Sequence, residues 1–245
     1  MKNGYDNDIV AGIDIGSENI FCSIGIVEEN KNNIKLLGLG KSSVKDSFKK
    51  GAITNRNKLL ELLEIAVNEA ELMAEKKIDN AYMTITGDHI RCMNTQGAVA
   101  LNRNKSNGAI DDSPISQKDI DRVLELTQGI ALPPDRDILH TIPQEFIVDT
   151  LEKIDDPIGL SGRRLEGHVH LVTASTSGMK NLMESAEELG ININGLVFKP
   201  LASAMPTLKS DEIKLGVSLI DIGSTTTSIS VFNEGAVRHS AVIPI

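Results

Sequence analysis

Two tetrapeptides, Asp14-Ile15-Gly16-Ser17 and Asp221-Ile222-Gly223-Ser224, are identical and lie near opposite ends of a 245-residue chain. Each follows an apolar run and precedes a β-branched one, so each reads as a tight turn between two strands with an acid at its entrance. Glycine in such a turn can take positive φ and leaves no Cβ in the way, which lets neighbouring amides converge on an anion. A hydrogen bond to a charged acceptor contributes on the order of 1.5–3 kcal/mol, so two facing turns would grip a polyphosphate from both sides. Asp14 and Asp221, at the strand ends beneath the turns, are then placed to hold a hydrated Mg²⁺, which takes one or two carboxylates and completes its shell with water and phosphate oxygens. One such turn alone is an ordinary hairpin. Its recurrence in an equivalent setting, followed the second time by Thr225, Thr226 and Thr227, favours a ligand between two halves.

The turns must be carried by strands, and the surrounding pattern supplies them. Ile9–Ile15, Ile20–Val27 and Ile34–Leu39, with a polar turn at Glu28–Asn33, read as a three-strand meander. Val217–Ile222, Thr226–Phe232 and Ala236–Ile243, with a turn at Asn233–Gly235, read as a second. Between them, Leu59, Leu62, Leu63, Ala66, Val67, Ala70 and Met73 recur at helical spacing, predicting a helix capped by Thr54 and ending near Lys76-Lys77. Strands are expected at Ala81–Thr86, Ile90–Asn94 and Ala98–Leu101, and a polar, mobile loop at Asn102–Pro114. Ser116 and Asp119 predict a capping box opening a helix through Leu126. Ile138–Asp149 is extended with a break at Pro143, and Asp155–Arg164 is a Pro- and Gly-rich connection to a strand at His168–Thr173. A second amphipathic helix begins at Ser177, with Gly190 as its left-handed cap, and Pro200 opens a short helix to Leu208.

Composition excludes several functions. With 25 Lys and Arg against 34 Asp and Glu, a net charge of −9 and no basic run interleaved with aromatics, nucleic acid is not an expected partner. Met1–Asp8 is polar and no stretch reaches about 18 apolar residues, so the chain by itself reads as cytoplasmic. Cys22 and Cys92 lie far apart in apolar surroundings, which predicts buried reduced thiols rather than a disulfide or a zinc site. His168 and His170 share one strand face without a third ligand, and are read as packing rather than metal-binding. Aromatic residues make up 3% of the chain, so the core must be aliphatic.

The paired hairpins resemble those of the actin, Hsp70 and sugar-kinase superfamily, in which two related domains each present a phosphate hairpin to ATP and Mg²⁺. The middle of the chain is more specific. His140-Thr141-Ile142-Pro143-Gln144-Glu145-Phe146, Pro157–Glu166 and His168–Thr173, together with Ala70–Ala74 and Pro200–Ala204, resemble the FtsA family of bacterial cell-division proteins over nearly the whole chain. The resemblance implies an α/β, actin-like (ribonuclease H-like) ATPase fold, incomplete in this chain. A first domain would comprise residues 1–83 and 166–200, interrupted by a small α+β subdomain of the 1C or SHS2 type at 84–165, with 201–245 opening a second domain.

The same resemblance places Asp14, Gly16, Ser17, Glu18 and Asn19 in the first phosphate motif, and Asp221, Gly223, Ser224, Thr225 and Thr226 in the second. ATP is the implied ligand, with Asp14 and Asp221 reaching Mg²⁺ through water. The implied role is an ATP-binding scaffold with no catalytic residue and at most weak ATPase activity. It would link FtsZ to the inner membrane at the septum, recruit later divisome proteins through the insert, and self-associate into filaments. The membrane helix and the FtsZ-binding part are expected to be missing from this chain. Ser224 and Thr225 stand where the family motif has glycines, which adds Cβ atoms where the backbone must approach phosphate and lowers the expected affinity, and Ser228 stands where it has an acid. Lys199 stands where many superfamily members carry an acid before the proline, from which little ATPase activity is expected. The alternatives are a small-molecule kinase on the same fold and a pilus-assembly relative.

Overall fold

The computed structural model describes residues 9–28, 33–44, 46–101, 103–104, 110–111 and 113–245. The polar start at 1–8, most of the expected turn at 28–33 and most of the expected loop at 102–114 lie outside them. Strands β1 (Ile9–Ile15), β2 (Asn19–Val27) and β3 (Ile34–Ser43) form the first meander, β3 running on past Leu39. The short pair β4 (Phe48–Lys49) and β5 (Ala52–Ile53) precedes α1 (Arg56–Ala74) and β6 (Asn80–Ile85). There follow β7 (Arg91–Ala100), one strand where two were expected, the short β8 (Arg103–Asn104) and β9 (Ile110–Asp111), and α2 (Gln117–Thr127). Next come β10 (Arg136–Val148), β11 (Leu151–Ile154), β12 (Arg164–Ser175), α3 (Thr176–Glu187) and β13 (Asn192–Phe198). The chain closes with α4 (Lys199–Thr207), α5 (Ser210–Leu215), β14 (Val217–Ile222), β15 (Thr226–Asn233) and β16 (Ala236–Pro244).

The first sheet has the order β13-β6-β1-β2-β3. The meander is antiparallel, whereas β6 runs parallel to β1 and β13 parallel to β6. Parallel neighbours cannot be joined by a hairpin, so helices α1 and α3 make the crossovers. Helix α1 buries Leu59, Leu62, Leu63, Ala66, Val67 and Ala70. It lies so close to β3 that a Cβ on Gly40 would stand 1.8 Å from the Ala66 carbonyl oxygen, and one on Gly38 2.2 Å from that of Ala70. The cap of α1 is Asn55, one residue later than expected, because its side chain accepts from the Lys58 amide at 3.1 Å. Thr54 is engaged elsewhere, donating its hydroxyl to the Asp46 carbonyl. The helix ends at Ala74, before the lysines, where Glu75 turns left-handed at φ 53°.

The second sheet, β11-β10-β12-β7, is antiparallel throughout and carries α2 across β7 and β12. Asp119 accepts from both the amide and the hydroxyl of Ser116, which fixes the start of α2 as the sequence predicts. Pro143 does not break β10; the ladder shifts register between Pro143 and Glu145 and resumes. Strand β12 pairs with β7 and β10 along its length. Its Leu165 end enters a core with Val123, Phe146 and Val148, while Val172 and Ala174 enter the core of the first sheet. A domain boundary drawn at 165/166 therefore falls inside one continuous strand.

The third sheet, β14-β15-β16, repeats the order of the first meander. Its inner side packs on α4 and α5 through Ala204, Phe232 and Val237. Strand β16 also docks on the second sheet: Asn94 donates to the Arg238 carbonyl (3.0 Å) and Gln144 to that of Val237 (2.6 Å). His170 bridges the same seam, 2.7 Å from Asn94 Oδ1 and 2.7 Å from Ser240 Oγ. Burial pushes its imidazole down to about 4, with His239 adding to the effect. His168 is held by Glu145 and Glu166, both at 3.1 Å, so neither histidine offers a metal a free nitrogen. Cys22 is buried, with its thiol pushed up to about 12, whereas Cys92 is half-buried rather than buried.

The His170 ring takes up its proton near 6.5 when unfolded and near 4 when folded. As pH falls through that window the unfolded state alone gains the proton, so stability drops, by about 3 kcal/mol at most. Urea midpoints measured from pH 7 to 4.5 should therefore fall in the native chain and fall less in His170→Gln; a flat native profile contradicts the buried neutral ring. Gly40→Ala forces α1 off β3 and should cost about 3 kcal/mol or more in the same urea assay.

Candidate functional site

The two repeated turns meet. Ser17 Oγ lies 2.5 Å from Thr225 Oγ1, although the residues are 208 positions apart. Thr225 is fixed from two further directions, since its hydroxyl accepts from the Lys50 amide at 3.2 Å and its carbonyl from the Ile245 amide at 2.9 Å. Behind the contact lies a cavity of about 40 Å³ lined by both turns and by Lys199. Of the residues expected there, Gly16, Ser17, Asp221, Gly223, Ser224 and Thr226 line it directly. Asp14, Glu18, Asn19 and Thr225 do not line it; they shape the turns from outside.

Both turns are built alike. The Gly16 amide donates to the Asn19 carbonyl at 3.0 Å, and the Gly223 amide to that of Thr226 at 2.9 Å. This corrects the sequence reading of the glycines in two respects. Neither has positive φ; each is needed because a Cβ would stand 3.0 Å from the same carbonyl oxygen that its amide meets. Their amides are thus consumed in closing the turn and do not face a ligand. Among the described residues, the amides of Ser17, Glu18, Ser224 and Thr225 have no acceptor, and they remain to meet an anion.

A third turn was not legible from the repeat. Gly51 (φ 86°) packs on Gly87 (φ 151°), where a Cβ on Gly51 would lie 2.3 Å from the Thr86 carbonyl oxygen. Only two facing glycines permit this approach, and it brings Lys50 within reach of Thr225. Phe48, Gly51 and Thr86 line the cavity, and the Thr86 hydroxyl is buried without a hydrogen-bond partner. Buried polar groups are almost always satisfied, so this hydroxyl marks a place for a polar guest. Nothing in the sequence separates Thr86 from any other strand-end threonine.

The two acids differ. Asp14 is saturated: Thr84 donates its hydroxyl to Oδ1, and the Lys199 ammonium stands 3.0 Å from Oδ2. Asp221 has no side-chain partner among the described residues and is the sole carboxylate lining the cavity. The expected pairing of both acids around one metal is therefore not what the side chains form. No group of three or more His, Cys, Asp or Glu side chains is placed to hold a metal among the described residues. No helix among them is long and apolar enough to cross a membrane.

Comparison with known proteins agrees with this architecture. A family model described as the SHS2 domain inserted in FtsA matches residues 87–173. Cell division protein FtsA of Pseudomonas aeruginosa is 36% identical over 245 residues, covering 100% of this chain and 56% of that protein. FtsA of Neisseria meningitidis is 37% identical over 96% of this chain and 54% of its own length, and that of Escherichia coli K12 33% identical over 100% and 56%. The chain thus spans a little over half the length of the curated relatives it matches. Among solved structures, a PilM-PilN type IV pilus biogenesis complex aligns with a TM-score of 0.66 at 14% identity, covering 96% of this chain and 61% of that one, which shows a shared fold. Similarity along its entire length, the SHS2 domain inserted in FtsA and the actin-like ATPase fold together relate this chain to the FtsA proteins.

Proposed function

We propose that this chain acts in bacterial cell division as a nucleotide-gripping scaffold, closing two hairpins on the phosphates of ATP. The observation that carries the reading is the meeting of Ser17 and Thr225, which sets two identical turns face to face around a shared cavity. Four unpartnered amides and the orphaned Thr86 hydroxyl form a donor set suited to phosphate oxygens. Asp221 is the carboxylate that faces the cavity from the second hairpin. A cavity of about 40 Å³ holds little more than water. Nucleotide must therefore part the turns, and its binding becomes a change in the angle between the halves that carry them.

Hydrolysis calls for a base or an acid positioned at the attacking water. With one carboxylate on the cavity wall and Lys199 beside it, the lining favours holding nucleotide over cleaving it. The inserted sheet and α2 have a core of their own around Val99, Ile120, Val123 and Leu165, and present Leu151, Ile158 and Leu160 to solvent. That makes the insert a self-supporting platform, consistent with recruiting later divisome proteins and with filament contacts. The same reading extends to links with FtsZ and the inner membrane.

Gly223 is exposed, and a valine there would press on the Thr226 carbonyl without disturbing the core. Calorimetry should show ATP binding to the native chain, weakened about tenfold or more in Gly223→Val, and no phosphate release above buffer. Undiminished affinity in the variant would remove the clamp.

A further inference from the structure

Among the described residues Lys199 is the one cationic side chain on the cavity wall, and its place is fixed by what precedes and follows it. Phe198 is fully buried and its amide donates to His140 Nε2 at 2.9 Å, while Pro200 sets the backbone on the other side. The first residue of α4 is thereby held, and its side chain can only reach forward. It reaches Asp14: the ammonium lies 3.0 Å from Oδ2 and 4.0 Å from where a Cβ on Gly16 would be. Both partners are about one-quarter exposed, so the pair sits at the mouth of the cleft rather than in bulk water.

Chemically, this is the position that a hydrated divalent cation would need on the first hairpin. With Oδ1 accepting from Thr84 and Oδ2 from Lys199, each oxygen of Asp14 already has a donor, and the fixed positive charge repels a second cation. We infer that Lys199 replaces the metal: its ammonium is the counter-ion that neutralises a bound polyphosphate, and this chain binds such ligands without Mg²⁺. The inference rests on the phosphate clamp proposed above. It adds to it that the charge on the ligand is met by a tethered, monovalent cation bridging Asp14 and the phosphate oxygens. An ammonium has three donors, enough to keep Asp14 and to donate to two phosphate oxygens. A glutamate at 199, beside Asp14, would make the opposite site, with two carboxylates and a need for metal.

The test is calorimetry of the full chain with ATP and, separately, inorganic tripolyphosphate, in excess EDTA and in millimolar Mg²⁺. Native protein should bind both probes equally well in the two buffers. Lys199→Met should lose about ten- to a hundredfold in EDTA, the worth of a charge-assisted bond. Lys199→Arg should keep metal-free binding, and Lys199→Glu should bind only when Mg²⁺ is present; both report on charge in proteins whose circular dichroism matches the native chain. Binding by the native chain only in Mg²⁺, or equal metal-free binding by Lys199→Met, overturns the inference and leaves the clamp standing. Absence of binding of either probe in both buffers overturns the clamp and the inference together.

Discussion

The hydrogen bond between Ser17 and Thr225 closes a loop of 208 residues. Bringing the ends of so long a flexible loop together costs about 5 kcal/mol or more, whereas one hydrogen bond returns about 1 kcal/mol. The contact therefore cannot hold itself. It is held by the three apolar cores between the two turns, and by the seam that fastens β16 to the second sheet through Asn94, Gln144 and His170. The hydrogen bond therefore reports the framework's geometry and does not set it.

Much of this was readable in the residues. The repeated Asp-Ile-Gly-Ser, the two meanders and the Ser116–Asp119 cap are short-range patterns, and short-range geometry decides them. Where reading failed, the placement of a neighbour rather than the residue's own type was responsible. Thr54 yields the helix cap to Asn55 because its hydroxyl is drawn to Asp46. Gly16 and Gly223 are needed for steric room beside a carbonyl, and not for a left-handed backbone, a distinction that composition cannot carry. Gly51, Gly87 and Thr86 reach the cleft only through tertiary packing. Lys199 stood out as a departure from the superfamily, but its partnership with Asp14 crosses 185 positions and needed coordinates.

Identical tetrapeptides also meet unlike surroundings. Ile15 is 3% exposed and Ile222 77% exposed, although each follows the same aspartate into the same kind of turn. The first meander lies in a five-stranded sheet covered by α1 and α3, while the third sheet has α4 and α5 on one side, with Ile220 and Ile222 open on the other. A turn's shape is thus local, but its rigidity is borrowed.

Strand β12 ties the insert to the first sheet. It is a single stretch from Arg164 to Ser175, hydrogen-bonded on both edges, whose two ends are seated in different cores and whose last residue caps α3. An insert attached this way is a cantilever rather than a pendant on a string. A load applied to the insert at the exposed Leu151 or Leu160 is delivered along β12 into the core of the first sheet instead of being dissipated in a slack joint.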